Sequence, residues 1–159
     1  MFPFLLPLFH WVDTSWLSRE IRASTWQFAI FEMIHLLGLT MVLGSLMVLD
    51  LRLLGVGMRR LRAAELARDL SGWMLSGLAV VLLSGVLLFF GEPMKLYGSP
   101  WFHVKMGLLA AAILFQFTIF RSIASQRGGS PVLNRIGGAV SLILWFGVGL
   151  AGRGIGFLG

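Results

Sequence analysis

Four apolar runs, each long enough to cross a bilayer, leave this chain very few folds. They cover roughly residues 26–49, 72–90, 101–120 and 132–151. At 1.5 Å per residue each run reaches across a hydrocarbon core of about 30 Å. Lipid offers no partner to backbone amides and carbonyls, so each run must be a helix that satisfies its own hydrogen bonds. Hydrophobic residues make up 57% of the 159, charged residues 13%, and mean hydropathy is +0.86, which leaves little chain outside the membrane. The fold class that follows is all-α: an integral membrane four-helix bundle with short interfacial amphipathic helices. Residues 1–25 read as an outer interfacial segment and residues 26–159 as the four-helix transmembrane domain.

Basic residues set the expected orientation. Arg52, Arg59, Arg60, Arg62 and Arg68 lie between the first two runs, and Arg121, Arg127 and Arg135 between the last two. These two loops face the same side and hold eight of the thirteen basic residues. The positive-inside bias therefore predicts that they are cytoplasmic, with both termini and the loop "GEPMKLYGSP" outside. The net charge of +6 is spread over both faces and builds no basic domain, so no nucleic-acid partner is expected. The absence of cysteine excludes disulfides, thiolate-held Fe–S clusters and covalent haem attachment. The opening "MFPFLLPLFHWV" has no basic residue before its apolar part and contains Pro3 and Pro7, which argues against a cleaved signal. It reads as a retained segment on lipid or against a partner. "MRRLRAAELARDL" and "DTSWLSREIRASTW" read as two short interfacial helices, the first with Leu61, Ala64 and Leu70 toward lipid, the second capped at Asp13 or Thr14.

Small residues punctuate the second and fourth runs: Ser-Gly pairs at 71–72, 76–77 and 84–85, then Gly137, Gly138, Ser141, Gly147, Gly149 and Gly152. Such residues let helices approach closely in lipid, and they also leave gaps that a flat cofactor can fill. The spacing alone does not choose between these uses.

Chemistry enters with the three histidines, His10, His35 and His103. Ser99 and Pro100 open the third span, which puts His103 in its first turn. The first and third spans run in the same direction, so His35 and His103 both fall in the outer half, about 10 Å and about 5 Å deep. Two imidazoles at similar depth, with Gly38 and Gly107 a turn away from each, suit the axial positions of a haem iron. The competing reading makes each histidine a polar spot, with His103 snorkelling beside Lys105. Glu32 lies one turn from His35, but Glu-x-x-His is only half of a di-iron motif, and no further carboxylate is expected inside a span. A zinc or copper site on His35, His103 and either Glu32 or His10, with Met33 and Met106 as soft ligands, is an alternative. Otherwise Glu32 accepts the second N–H of His35 or relays protons beside it.

A histidine early in the first span, Arg52-Leu53 at its inner end and the "HVK" of His103, Val104 and Lys105 resemble the small four-helix haem-b membrane proteins. These include the bacterial haem-dependent protoporphyrinogen oxidase and the copper-resistance D membrane domain. The likeness covers about residues 26–120. It implies haem b as cofactor, His35 and His103 as the iron ligands and a role for Lys105 in haem binding and activity. Glu32 and the N-terminal segment have no counterpart in that pattern.

The reading that joins these observations is a haem-b protein of the bacterial inner membrane that passes electrons near its outer face. The cofactor-binding residues are then His35, His103, Lys105, Gly38, Gly107 and Arg153, with Arg22, Lys95, Lys105 and Arg153 available to pair with haem propionates. Expected partners are the lipid bilayer, a quinone or redox partner subunit, and homo- or hetero-oligomeric neighbours. Two alternatives remain open: a porphyrinogen-oxidising enzyme, and a cofactor-free accessory subunit of a larger membrane complex.

Overall fold

The computed structural model describes residues 3–57, 60–124 and 131–158. The basic residues Arg59 and Arg127, and the first two residues of the N-terminal segment, lie outside the described residues. A short 3₁₀ turn (Pro3–Leu5) leads into α1 (Leu6–Asp13) and α2 (Trp16–Ala23), followed by the long α3 (Thr25–Leu54) and α4 (Ala63–Gly91). A single short helix, α5 (Pro93–Gly98), separates these from α6 (Pro100–Ala124) and α7 (Pro131–Leu158). Among the described residues there is no strand. Four helices are long and apolar enough to cross a membrane: Trp26–Leu54, Ala63–Gly91, Pro100–Ile119 and Pro131–Phe157. Of their most apolar windows only 11% in α6 and 33% in α3 is buried inside the bundle, so most apolar side chains face outward. That is the surface of a multi-pass membrane protein, because water would not tolerate apolar patches of this extent.

Local chemistry sets the helix ends. Ser15 accepts from the Ser18 amide at 3.3 Å to start α2, and Ser24 accepts from the Gln27 amide at 3.3 Å to start α3. The predicted Asp13 or Thr14 cap is therefore replaced by Ser15; Asp13 instead pairs with Arg22 at 2.6 Å and ties the end of α1 to α2. Gly55 ends α3 at φ +78°, where a side chain would be strained, and the Gly55 and Val56 amides close onto the Arg52 and Leu51 carbonyls at 3.1 Å.

The predicted interfacial helix between the first two spans does not exist as a separate element. From Ala63 onward it continues straight into α4, and Leu66 and Ala67 are buried against Leu49 and Leu53 of α3. The apolar stripe drawn toward lipid is instead partly recruited to the arginine-rich end of the bundle. The N-terminal segment also differs from expectation. Phe9 and Val12 are buried, and the Phe9 ring meets Phe89, Tyr97 and Phe102 edge-on at 5.0–6.3 Å, so one face of α1 is folded onto the end of the bundle where α5 joins α4 to α6. Leu8 and Trp11 on its other face stay exposed.

Around the bundle α3 packs on α4 and α7, and α6 packs on α7 and α4, which leaves α3 and α6 at diagonal corners. The α3–α4 seam is the closest. A Cβ on Gly38 would come within 2.8 Å of Val80, and one on Gly77 within 3.0 Å of the Val42 backbone, so the two helices touch main chain to main chain. Val42, Leu46, Met74, Val81, Ala112, Trp145 and Val148 fill the space between the four helices.

Candidate functional site

His35 points inward from α3 toward α4 and is 7% exposed. Its Nδ1 lies 3.0 Å from Ser84 Oγ, whose own hydroxyl donates to the Val80 carbonyl at 2.5 Å. With that proton spent, Nδ1–H is the donor to Ser84 Oγ, and Nε2 keeps its lone pair. Nε2 is buried and has no hydrogen-bond partner. Gly85 makes room for the ring, since a Cβ there would lie 3.3 Å from His35 Cε1. The third Ser-Gly pair of α4 thus has two functions: the glycine clears the imidazole and the serine orients it.

His103, in the first turn of α6, is held in the same tautomer by different means. Its Nδ1 donates to the Ser99 carbonyl at 3.0 Å, and that carbonyl also accepts from the Phe102 amide at 3.2 Å. Again Nε2 is the nitrogen that carries the lone pair. Its ring sits edge-on to Phe102 at 5.9 Å, beside the aromatic cluster that α1 closes. An Nδ1–H held by an acceptor, with the lone pair on Nε2, is the arrangement that metal-ligating histidines adopt.

Lys105 lies on α6 two residues beyond His103 and is half-buried. Its stem lies along Gly152 of α7, with Nζ 3.4 Å from where a Cβ would stand. Among the described residues it has no carboxylate partner, whereas Arg22 is bound to Asp13 and Lys95 to Glu92 at 3.1 Å. Arg153 is exposed and stacked on Phe157 at 4.0 Å. Of the four cations proposed for anionic groups, Lys105 is the one that faces the interior without a counter-charge among the described residues.

Several predicted site residues lie elsewhere. Glu32 is exposed on the outer face of α3 and does not reach His35. Positions i and i+3 are neighbours on a helix but are offset by about 60° at 3.6 residues per turn. His35 turns to Ser84, and Glu32 turns away. Gly38 is consumed by the α3–α4 seam, and Gly107 faces open space with nothing within 4 Å of a Cβ. His10 is exposed on α1. No three His, Asp or Glu side chains converge among the described residues, so the zinc or copper site built on His35, His103 and Glu32 or His10 is not assembled.

A second polar cluster, absent from the sequence reading, lies between α3, α6 and α7 in the half of the bundle nearer the arginine-rich loops. Asp50 is 1% exposed, Ser141 is fully buried and Gln116 is 5% exposed. Ser141 Oγ donates to Gln116 Oε1 at 3.3 Å and lies beside the Asp50 carboxyl. Asp50 Oδ2 and Trp145 Nε1 are both buried without a partner. Asp50 stands one residue past the predicted end of the first span, and a carboxylate near a basic loop reads as a solvated terminus. The available signal was its register: Asp50 follows Val42 and Leu46 on one helical face, the buried one.

A family model described as "Family of unknown function (DUF6644)" matches residues 8–158, nearly the whole chain. No curated protein and no solved structure matches it.

Proposed function

We propose that this chain, which belongs to the DUF6644 family, is a membrane haem-b protein that passes electrons near the outer face of the bacterial inner membrane. One observation carries the reading: both histidines are fixed as Nδ1–H donors, so each offers Nε2 as a ligand nitrogen. The remaining residues fit the same group. Lys105, an interior ammonium with no carboxylate partner among the described residues, is the natural counter-charge for a propionate. His35 and His103 would hold the iron and Lys105 a carboxylate of the macrocycle. When bound, haem b supplies one-electron chemistry at its iron. The protein's own contribution is to orient the two imidazoles, to exclude water with the aromatic cluster of Phe9, Phe89, Tyr97 and Phe102, and to present a cation at the cofactor's edge.

The visible spectrum of the purified protein tests this directly. A Soret band with sharp reduced α and β peaks, lost in both His35→Ala and His103→Ala, is expected. A colourless, metal-free protein points instead to an accessory subunit, and two histidine variants with the wild-type spectrum end the shared-ligand reading.

A further inference from the structure

Among the described residues Asp50 is the only buried acidic side chain, and no cation pairs with it. Two arginines near this end of the bundle are engaged elsewhere. Arg52 Nε donates to the Leu61 carbonyl at 2.7 Å, and the Arg135 guanidinium lies against Gly55. Around Asp50, α6 and α7 present the uncharged Gln116, Ser141 and Trp145, and α4 meets this stretch of α3 with Leu66 and Ala67.

Counting protons along the cluster decides what Asp50 can be. Gln116 Nε2 donates to Met74 Sδ at 3.8 Å. Turning the amide over would aim Oε1 at a sulfur with no proton to give, so Oε1 faces Ser141. Ser141 has one hydroxyl proton and spends it on that Oε1 at 3.3 Å. Its Oγ lies beside the Asp50 carboxyl with only lone pairs left to offer. An ionised carboxylate would find no donor there, and its Oδ2 has none either. A protonated carboxyl can itself donate to Ser141 Oγ. The chain from Asp50 through Ser141 and Gln116 to Met74 then runs donor to acceptor without a break.

We infer that Asp50, Ser141 and Gln116 form a proton-binding site, in which Asp50 holds a proton while α7 is closed on α3 and releases it when the two helices part. Ser141, Trp145 and the main chain at Gly138, all of α7, enclose the carboxyl, so a larger ligand has no way in. A hard metal cation would want the ionised carboxylate and several more oxygens, and the cluster adds only those of Ser141 and Gln116. A carboxyl inside an apolar bundle is costly to keep, and exchange of its proton is a use that an apolar side chain could not serve. The site lies about 22 Å along α3 from His35, at 1.5 Å per residue, and needs no haem.

Infrared difference spectroscopy of the full-length protein in lipid vesicles, wild type minus Asp50→Asn, tests the site, with helix content followed by circular dichroism on the same samples. At neutral pH the wild type is expected to show the C=O stretch of a protonated acid, which Asp50→Asn lacks and Glu32→Gln keeps. Isotope-labelled aspartate should shift the same band in the unsubstituted chain, which covers the case of a variant that fails to fold. Ser141→Ala removes the acceptor and should move the band to higher frequency. Raising the pH should abolish the band reversibly at constant helix content, and Asp50→Asn should release one proton fewer per chain. A band that persists until the helices unfold marks a sealed structural acid and overturns the site. An ionised Asp50 at neutral pH overturns it too. So does loss of the protonated band on adding sodium or magnesium salt at fixed pH, which would mark a metal cation as the ligand.

Discussion

Ser84 offers a way to perturb the candidate ligand without touching it. Ser84→Ala deletes the acceptor for His35 Nδ1–H while leaving Gly85 and the ring's cradle in place. The expected outcome is haem that still binds with bis-histidine character but about 10–100-fold more weakly, read by titrating haem into the apoprotein. Lys105→Met should also weaken retention, with Lys105→Arg restoring it, because the proposed role is charge and not shape. Glu32→Gln should change neither spectrum nor affinity, since its side chain faces away from His35. At this scale the histidines and Lys105 were legible because ionisable residues stand out against an apolar run. Ser84 was not, because a serine in a small-residue pair looks like packing. Which partner His35 chooses depends on α4, and local spacing on α3 favoured Glu32.

Helix existence was written in the sequence more plainly than helix extent. Apolar runs defined the four spans, but their ends were set by contacts between helices. Residues 63–70 carry enough charge to read as surface, yet Leu66 and Ala67 give them a buried face against Leu49 and Leu53 and so lengthen α4. The α3–α4 seam makes a sharp prediction. A Leu at Gly77 would drive its Cβ into the Val42 backbone and the Gly38 carbonyl, neither of which can swing aside. Overpacking of this kind should cost about 1–3 kcal/mol, seen as a lower midpoint in detergent-titration unfolding. Phe9→Ala should loosen α1 from the outer end while the four long helices persist, measured as faster proteolysis within residues 3–24 than in the wild type. The sequence placed that segment on lipid or a partner because nothing local announces Phe89, Tyr97 and Phe102 as its neighbours.

Four crossings return the chain to the side on which it began, so both ends of the bundle lie together. The arginine-rich side is expected to be cytoplasmic, and a reporter active only in the cytoplasm should be silent when fused after Gly159. Assembly order follows from the same connectivity. The glycine-thinned α3–α4 pair can close as soon as both helices are made, and α6 and α7 can pair afterwards. Asp50, however, is enclosed by Ser141, Trp145 and the main chain beside Gly138, where a Cβ would come within 2.9 Å of the Asp50 carbonyl; all three belong to α7, which follows the other three long helices in chain order. Until α7 arrives, a carboxyl group is open to the acyl chains on an otherwise closed hairpin. An unfinished molecule therefore exposes to lipid a polar group that the finished one hides. A chain stopped after residue 130 should be degraded quickly, and the same truncated chain with Asp50→Leu should survive longer.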